Sequence, residues 1–293
     1  MKEKEHLRAK RRVALPAGAG GAGTGRFSQG ASIPPGVHDL HALSSARVTA
    51  WAKLNQTKYR RREGLCLAEG EKVVRELLKS PWAVQAVLVA EDAAARHQAL
   101  VASLPSGVVH AVPARSWKRI SQDPAPEGIM AVAALPPPLS AVAWETGPGP
   151  LLLIDRVNNP NNLGALLRTA HWFGFRTVLV GAGSVDWTHP KVIRTSMGSL
   201  FHLNVAADLD LSAVLPALRG RFRLIGSDVR RGVPPHPCPP QTALLLGNET
   251  HGLPPALLDL TDERWCIPGA GAAESLSLPQ AAAVMMYEFR RGE

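Results

Sequence analysis

The sequence predicts an α/β protein, a mostly parallel sheet covered by helices on both faces and preceded by a smaller α/β domain. Three observations carry this expectation. From residue 151 onward, short apolar runs alternate with helical patterns, as strands buried on both faces alternate with their crossover helices. The chain has 293 residues, too many for one small core, so two domains and a tail are expected. Finally, Pro136-Pro137-Pro138 and Gly147-Pro148-Gly149-Pro150 bracket a stretch of linker composition, which separates residues 38–135 from residues 151–293.

Taken in order, residues 1–37 open with basic residues and continue into the Gly/Ala-rich run Gly18–Gly25, a composition that predicts disorder. Gly18-Ala19-Gly20-Gly21-Ala22-Gly23 is formally a GxGxxG. No strand precedes it and no apolar helix follows, so it is not a dinucleotide site. In residues 38–135 a Ser-capped helix is expected over Ser45–Leu54 and another over Glu71–Leu78. Strands are expected at Leu65–Ala68, Ala86–Val89, Val108–Val112 and Ile129–Ala134. Beyond the linker, strands are expected at 151–155, 177–181, 201–206, 222–227, 242–247 and 264–267. Helices are expected near 161–174, 189–198, 210–219, 254–260 and 276–290.

Charge is concentrated at the start. Residues 1–62 hold thirteen Lys/Arg against three acids, a balance of +10 beside +9 for the whole chain. A basic head on a near-neutral body points to a polyanionic partner, most simply a nucleic acid; a solvated, solubilising tail is the alternative reading of the same residues. Lys58, Tyr59, Arg60, Arg61 and Arg62 suit phosphate contacts with one base stacked on Tyr59. They equally suit a charged helix edge.

Other classes are excluded. No run of eighteen apolar residues occurs, so no membrane-spanning helix is expected, and the basic N-terminus lacks the apolar stretch of a secretory signal. Cys66, Cys238 and Cys266 are odd in number and share no metal-ligand spacing. No disulfide framework and no metal site are expected, and a reducing cytoplasm fits.

The chemistry is expected at three loops that leave strand ends. Leu151–Ile154 runs through Asp155 and Arg156 into Val157-Asn158-Asn159-Pro160-Asn161-Asn162, and then Leu163, Leu166, Leu167 and Ala170 recur at helical spacing. Open α/β sheets bind ligands at such carboxyl ends. Asn162 offers a donor and an acceptor, Gly164 permits close approach, and Arg168 lies six residues further on, so the loop and the first turns of the helix are expected to present Asn162 and Arg168 to one pocket. An Asn-rich cap before an ordinary helix is the structural alternative. Leu244-Leu245-Leu246 leads into Gly247-Asn248-Glu249 and on to Gly252-Leu253, and Trp265-Cys266-Ile267 leads through Pro268-Gly269-Ala270-Gly271 to Glu274-Ser275-Leu276-Ser277. Gly247, Gly252, Gly269 and Gly271 would let backbone come close to a ligand, although each turn alone is a common one.

Together the three loops are specific. Asn162-Leu163-Gly164 with Arg168 and Ala170, Leu246-Gly247-Asn248-Glu249 with Gly252-Leu253, and Ile267-Pro268 through Glu274-Ser275-Leu276, Ala281-Ala282-Ala283 and Tyr287-Glu288 resemble the three signature motifs of the SpoU/TrmH family. Members are S-adenosylmethionine-dependent RNA ribose 2′-O-methyltransferases. The resemblance spans 151–291 with the motifs in order, and residues 38–135 are similar to the family's L30e-like RNA-binding domain. It implies a SPOUT-type fold with a C-terminal trefoil knot, a homodimer formed through the methyltransferase domain, and 23S rRNA as substrate ahead of tRNA. By motif, it implies that Gly247, Ile267 and Leu276, with Leu246 and Ser277 beside them, hold the cofactor. Asn162, Arg168, Glu249 and Ser275 would form the catalytic set. The family usually has Asn where Ser277 stands, and a hydroxyl replaces one amide hydrogen bond but not two.

In-line attack of a ribose hydroxyl on a methyl group demands positioning and a route for one proton. No histidine is expected within the three motifs. Arginine is effectively always protonated, so Arg168 is expected to orient the hydroxyl or its neighbouring phosphate, the final acceptor being left open. Glu249 paired with Arg168 for structure alone is the competing reading. Two further readings stand beside the enzyme. A non-catalytic RNA-binding relative would bind cofactor without transferring a methyl group. A nucleotide-using enzyme of another class would need a P-loop or a placed GxGxxG, and neither is present.

Overall fold

The strand Leu151–Ile154 sits at the heart of the larger of two sheets, with every residue almost fully buried. In the computed structural model, which describes residues 41–291, the smaller sheet comprises β1 (His41–Ala42), β2 (Leu65–Glu69), β3 (Val84–Ala90), β4 (Val109–Val112) and β5 (Ile129–Ala134). Their order is β1-β4-β3-β5-β2, and β5 runs antiparallel to both of its neighbours. Helices α1 (Ser45–Ala52), α2 (Thr57–Glu63), α3 (Glu71–Lys79), α4 (Gln98–Val101) and α5 (Ala114–Ile120) belong to this part of the chain. The basic head before residue 41 lies outside the described residues.

The larger sheet comprises β6 (Leu151–Ile154), β7 (Thr177–Gly181), β8 (Asn204–Leu209), β9 (Arg223–Ser227), β10 (Thr242–Leu246) and β11 (Glu263–Trp265). It is parallel throughout, in the order β11-β9-β10-β6-β7-β8. Its helices are α6 (Ala141–Thr146), α7 (Pro160–Trp172), α8 (Pro190–Thr195), α9 (Leu211–Leu218), α10 (Pro255–Leu258) and α11 (Leu278–Arg290). All six strands point the same way, so every loop that leaves a strand emerges at one edge. That edge carries, side by side, the segments after β11, β9, β10, β6 and β7.

Two departures from the sequence reading have clear causes. The expected strand 201–206 starts only at Asn204, because Ser199–His202 forms a 3₁₀ turn entered from Gly198 at φ +84°. A Cβ on Gly198 would lie 2.4 Å from the Cβ of Glu76, so the smaller domain presses on the chain there. The Pro/Gly stretch 136–150 is not bare linker. It folds α6, and Trp144 is buried among Leu151, Leu153, Leu211 and Leu215 in the larger core.

The two sheets are joined by a dense interface. Arg194 pairs with Asp123 at 2.9 Å and His202 with Glu76 at 3.1 Å. Trp82 meets Trp187 and Phe201 edge to face, with centroids 5.9 and 5.1 Å apart. Its centre is the fully buried Arg60, paired with Asp186. Among the described residues, no helix is long and apolar enough to cross a membrane.

Candidate active site

The loop after β6 reaches its helix through a fixed sequence of caps. Asn159 takes the N-cap of α7 and its side chain accepts from Asn161 N at 2.9 Å, with Pro160 at the first helical position, where a missing N–H costs nothing. Leu163, Leu166, Leu167 and Ala170 then face the core. Gly164 serves a packing role: a Cβ there would lie 2.7 Å from both Thr195 Cβ and Val192 O of α8. The close approach read from the sequence is therefore helix against helix.

The loop after β10 closes on itself. Asn248 and Gly252 exchange backbone hydrogen bonds at 3.1 and 2.9 Å, and Asn248 Oδ1 accepts from Thr250 N and His251 N. A Cβ on Gly247 would lie 2.3 Å from the backbone between Gly252 and Leu253, so glycine is required by this closure. Asn248 Nδ2 donates to Arg156 O at 2.8 Å and ties the loop to the one after β6.

Glu249 completes that tie. Oε1 accepts from Asn162 Nδ2 at 3.1 Å and Asn159 N at 3.3 Å, while Oε2 accepts from Asn158 N at 3.5 Å and Asn248 Nδ2 at 3.4 Å. One carboxylate thus takes donors from two motif loops. Asn158, Asn159, Asn162, Glu249, Thr250 and His251 line an open cleft of about 640 Å³. His251, which stands at an unassigned position of the second motif, joins the site; the sequence offered only its loop placement as a signal.

The remaining expected residues are placed differently. Arg168 is exposed and does not line this cleft. Its guanidinium makes no hydrogen bond or ion pair with the described chain, so Glu249 is not its structural partner here. Six residues along a helix turn a side chain through about 240°, net, relative to Asn162, which is why one pocket of one chain does not gather both. Ser275, Leu276 and Ser277 are exposed, Ile267 is half-buried and Leu246 is fully buried. Leu246 O accepts from Asp155 N, which occupies that carbonyl with the sheet. Ser277 is the N-cap of α11, and its N–H donates to Gln280 Oε1 at 3.3 Å.

The basic cluster on α2 divides in two. Arg60 is a correction to the expected RNA contact: it is 0% exposed. Its guanidinium reaches Asp186 Oδ2 at 2.5 Å, Thr188 Oγ1 at 3.0 Å, Leu54 O at 2.8 Å and Thr57 Oγ1 at 2.9 Å, and its full burial keeps a phosphate from reaching it. Arg61 also turns to the larger domain and pairs with Asp208 at 2.7 Å, though in the open. Lys58, Arg62 and Lys53 stay exposed around the Tyr59 ring, 4.9, 4.9 and 5.6 Å from its centroid. Near the buried Arg60, burial pushes the Cys66 thiol up to about 12, which makes that residue inert packing.

Residues 150–287 match the SpoU rRNA Methylase family, and residues 45–131 match the MRM3-like substrate binding domain. The chain is 31% identical to the 23S rRNA (guanosine(2553)-2′-O)-methyltransferase RlmP of Bacillus subtilis, over 87% of this chain and all of that one. A putative RNA methyltransferase of the TrmH family from Porphyromonas gingivalis superposes with a TM-score of 0.74 at 32% identity, covering 86% of this chain and 99% of that one. The SpoU methyltransferase AviRb of Streptomyces viridochromogenes, solved with its cofactor AdoMet, gives 0.71 at 26% identity, covering 85% and 98%. On motifs, fold and a relative matched end to end, this chain belongs to the SpoU rRNA methylase family.

Proposed function

We propose that this protein transfers a methyl group from S-adenosylmethionine to a ribose 2′-hydroxyl of 23S rRNA. The observation that carries the reading is Glu249, whose carboxylate gathers donors from two signature loops at the carboxyl edge of a parallel sheet. RlmP of Bacillus subtilis is named for this reaction on 23S rRNA, which puts tRNA second.

The residues fit the cofactor. The backbone of residues 267–276 makes no hydrogen bond to the rest of the described chain, and a Cβ at Gly269 or Gly271 would meet nothing within 4 Å. Donors and acceptors are thus available on an open segment that leaves the same edge of the sheet as the Gly247 turn. Ile267 and Leu276 would hold the adenosyl part there with Gly247, Leu246 forming the floor. When bound, S-adenosylmethionine supplies an electrophilic methyl group.

The chain's own part is orientation. Glu249 occupies Asn162 Nδ2 and leaves Asn162 Oδ1 to accept from a ribose hydroxyl. Arg168 presents a planar fork to the adjoining phosphate. Ser275 stands at the entry to α11 with a hydroxyl for the same strand. His251 lines the cleft wall and would supply an imidazole to receive the hydroxyl proton.

The exposed faces of α7 and α11 support a homodimer. Trp172 is 83% exposed, Tyr287 56% and Val284 38%, on helices that pack against each other. Burial against a second copy would cover this apolar surface and would bring a partner's Arg168 toward the cleft. Lys53, Lys58 and Arg62 around Tyr59 extend the RNA surface onto the smaller domain. The resemblance implies a C-terminal trefoil knot, in which the C-terminal segment would thread a loop. The test is transfer of labelled methyl to unmodified 23S rRNA transcript, followed by mapping of the ribose. Incorporation at one 2′-hydroxyl is expected; bound cofactor without transfer would select the non-catalytic reading.

A further inference from the structure

Between the second and third signature loops, the same edge of the sheet carries a segment that no motif includes. It is the turn after β9, Asp228-Val229-Arg230-Arg231-Gly232-Val233. In strand order it lies one strand from β10 and two from β6, about 5 and 10 Å away at ordinary strand spacing. The turn is held at both ends. Asp228 N donates to Trp265 O at 2.9 Å, Val233 N to Arg264 O at 2.9 Å and Cys266 N to Val233 O at 2.9 Å. The chain is thereby stitched to β11 immediately before the loop 266–277. Gly232 adopts φ +148°, and a Cβ there would lie 2.4 Å from Arg264 O, so the seam is tight.

Asp228 shapes the crown of this turn without neutralising it. Its Oδ1 accepts from Arg230 N at 2.8 Å and Arg231 N at 3.2 Å, and its Oδ2 faces Arg264 at 4.0 Å. The two guanidinium groups are left over. Arg230 and Arg231 are exposed, and neither side chain makes an ion pair or hydrogen bond with the described chain. Elsewhere on this surface arginines find carboxylates: Arg61 with Asp208, Arg223 with Glu263, Arg264 with Asp259. Two adjacent forks on a braced turn, beside the cleft and without a carboxylate, are suited to bidentate oxygen anions.

We propose that Arg230 and Arg231 grip the phosphate backbone of the RNA on the side of the cleft opposite the smaller domain. This rests on the RNA methyltransferase reading above. Lys58 and Arg62 stand on α2, with Lys53 in the 3₁₀ turn before it, and their neighbour Arg61 contacts Asp208 at the carboxyl end of β8, the far edge of the sheet. The cleft between β10 and β6 lies between the two patches. A strand held at both would pass its ribose across Asn162 and Glu249, and the gripping groups would set which nucleotide stops there.

The test compares wild type, R230A/R231A and R230K/R231K. Affinity for unmodified 23S rRNA transcript is measured against salt, and S-adenosylmethionine binding is measured by calorimetry. Each lost single-strand phosphate contact flattens the log–log salt slope by about 0.7, so the alanine pair is expected to lose about 1.4 and to bind roughly tenfold more weakly. The lysine pair should keep the slope, and cofactor binding should be unchanged in both. A slope unchanged in R230A/R231A, or a loss of cofactor affinity in its place, overturns the proposal. A wild type that neither binds nor methylates the transcript overturns the function itself, and this role with it; wild-type activity with an unaltered alanine pair overturns the grip alone.

Discussion

Arg60 Nη2 lies 2.5 Å from Asp186 Oδ2, joining a helix of the smaller domain to the loop after β7 in the larger one. The arginine is fully buried, and its other donors end on Thr188, Thr57 and Leu54. Removing one partner of a buried pair leaves an uncompensated charge, at a cost of about 3–5 kcal/mol. R60A should therefore lower the urea midpoint sharply. K58A and R62A should leave it unchanged while flattening the salt dependence of RNA binding. An R60A protein of wild-type stability would mean that the contact does not hold the domains.

The same pair sets an acid limit. Burial alone pushes the Asp186 carboxyl up, but the Thr188 hydroxyl and N–H and the Arg60 guanidinium outweigh it and hold it below its ordinary 3.8. A carboxyl depressed in the folded state contributes stability that is present above its unfolded value and lost as pH falls through the folded one. Stability followed by chemical denaturation should thus drop as pH falls below about 3.8, and D186N should lose the part of that slope which belongs to this group. Identical acid slopes in the two proteins would refute the assignment.

Glu249 makes its contacts as an anion that only accepts. In E249Q one oxygen becomes an NH₂ group and faces N–H donors of the other loop. A hydrogen bond to a charged group contributes about 1.5–3 kcal/mol, so a rate loss on the order of 10–100-fold is expected. S-adenosylmethionine should still bind, because the Gly247 turn is closed by its own backbone. Single-turnover transfer beside calorimetric binding checks this, and wild-type turnover in E249Q would remove Glu249 from the site.

Much of this was legible in the residues. Periodicity located β6, β7, β9, β10 and α7 because buried parallel strands and amphipathic helices write themselves as runs and spacings. It missed α2, whose sequence TKYRRRE has no apolar stripe; burial of Arg60 against Asp186 fixes its packing, and a charge pair 126 residues apart leaves no local trace. It missed α6 because proline and glycine on both sides hide one buried tryptophan. The three loops were found as motifs, but the sharing of Glu249 by the loops after β6 and β10 follows from strand order, which spacing does not encode.

Ser277 stands where the family usually has Asn, and its structural task is now visible. It caps α11, whose third helical residue Gln280 accepts from its N–H. Asn and Ser are about equally good N-caps, so S277N should melt within a degree or two of wild type, by calorimetry. Turnover should be kept or raised. Lost activity in a folded S277N protein would show that this pocket departs from the family's.

Arg168 and Trp172 lie one turn apart on α7, and both are exposed, away from their own chain's cleft. If the α7 and α11 faces form the dimer, each Arg168 acts on the partner's Glu249 cleft. R168A should then bind S-adenosylmethionine normally and lose at least about a hundredfold in rate, since positioning supplies several kcal/mol of the barrier. R168K should rescue poorly, because a point charge lacks the planar fork. W172E should dissociate the dimer on light-scattering chromatography and lose activity with it. The decisive experiment mixes two inactive chains: R168A and E249A, co-expressed with different tags and purified as the heterodimer. One of its two clefts combines an intact Glu249 with an intact Arg168 from the other chain, so about half of wild-type activity should return. An inactive heterodimer, with both parents folded and cofactor bound, would place Arg168 in its own chain's site and would require α7 to present Asn162 and Arg168 to one ribose.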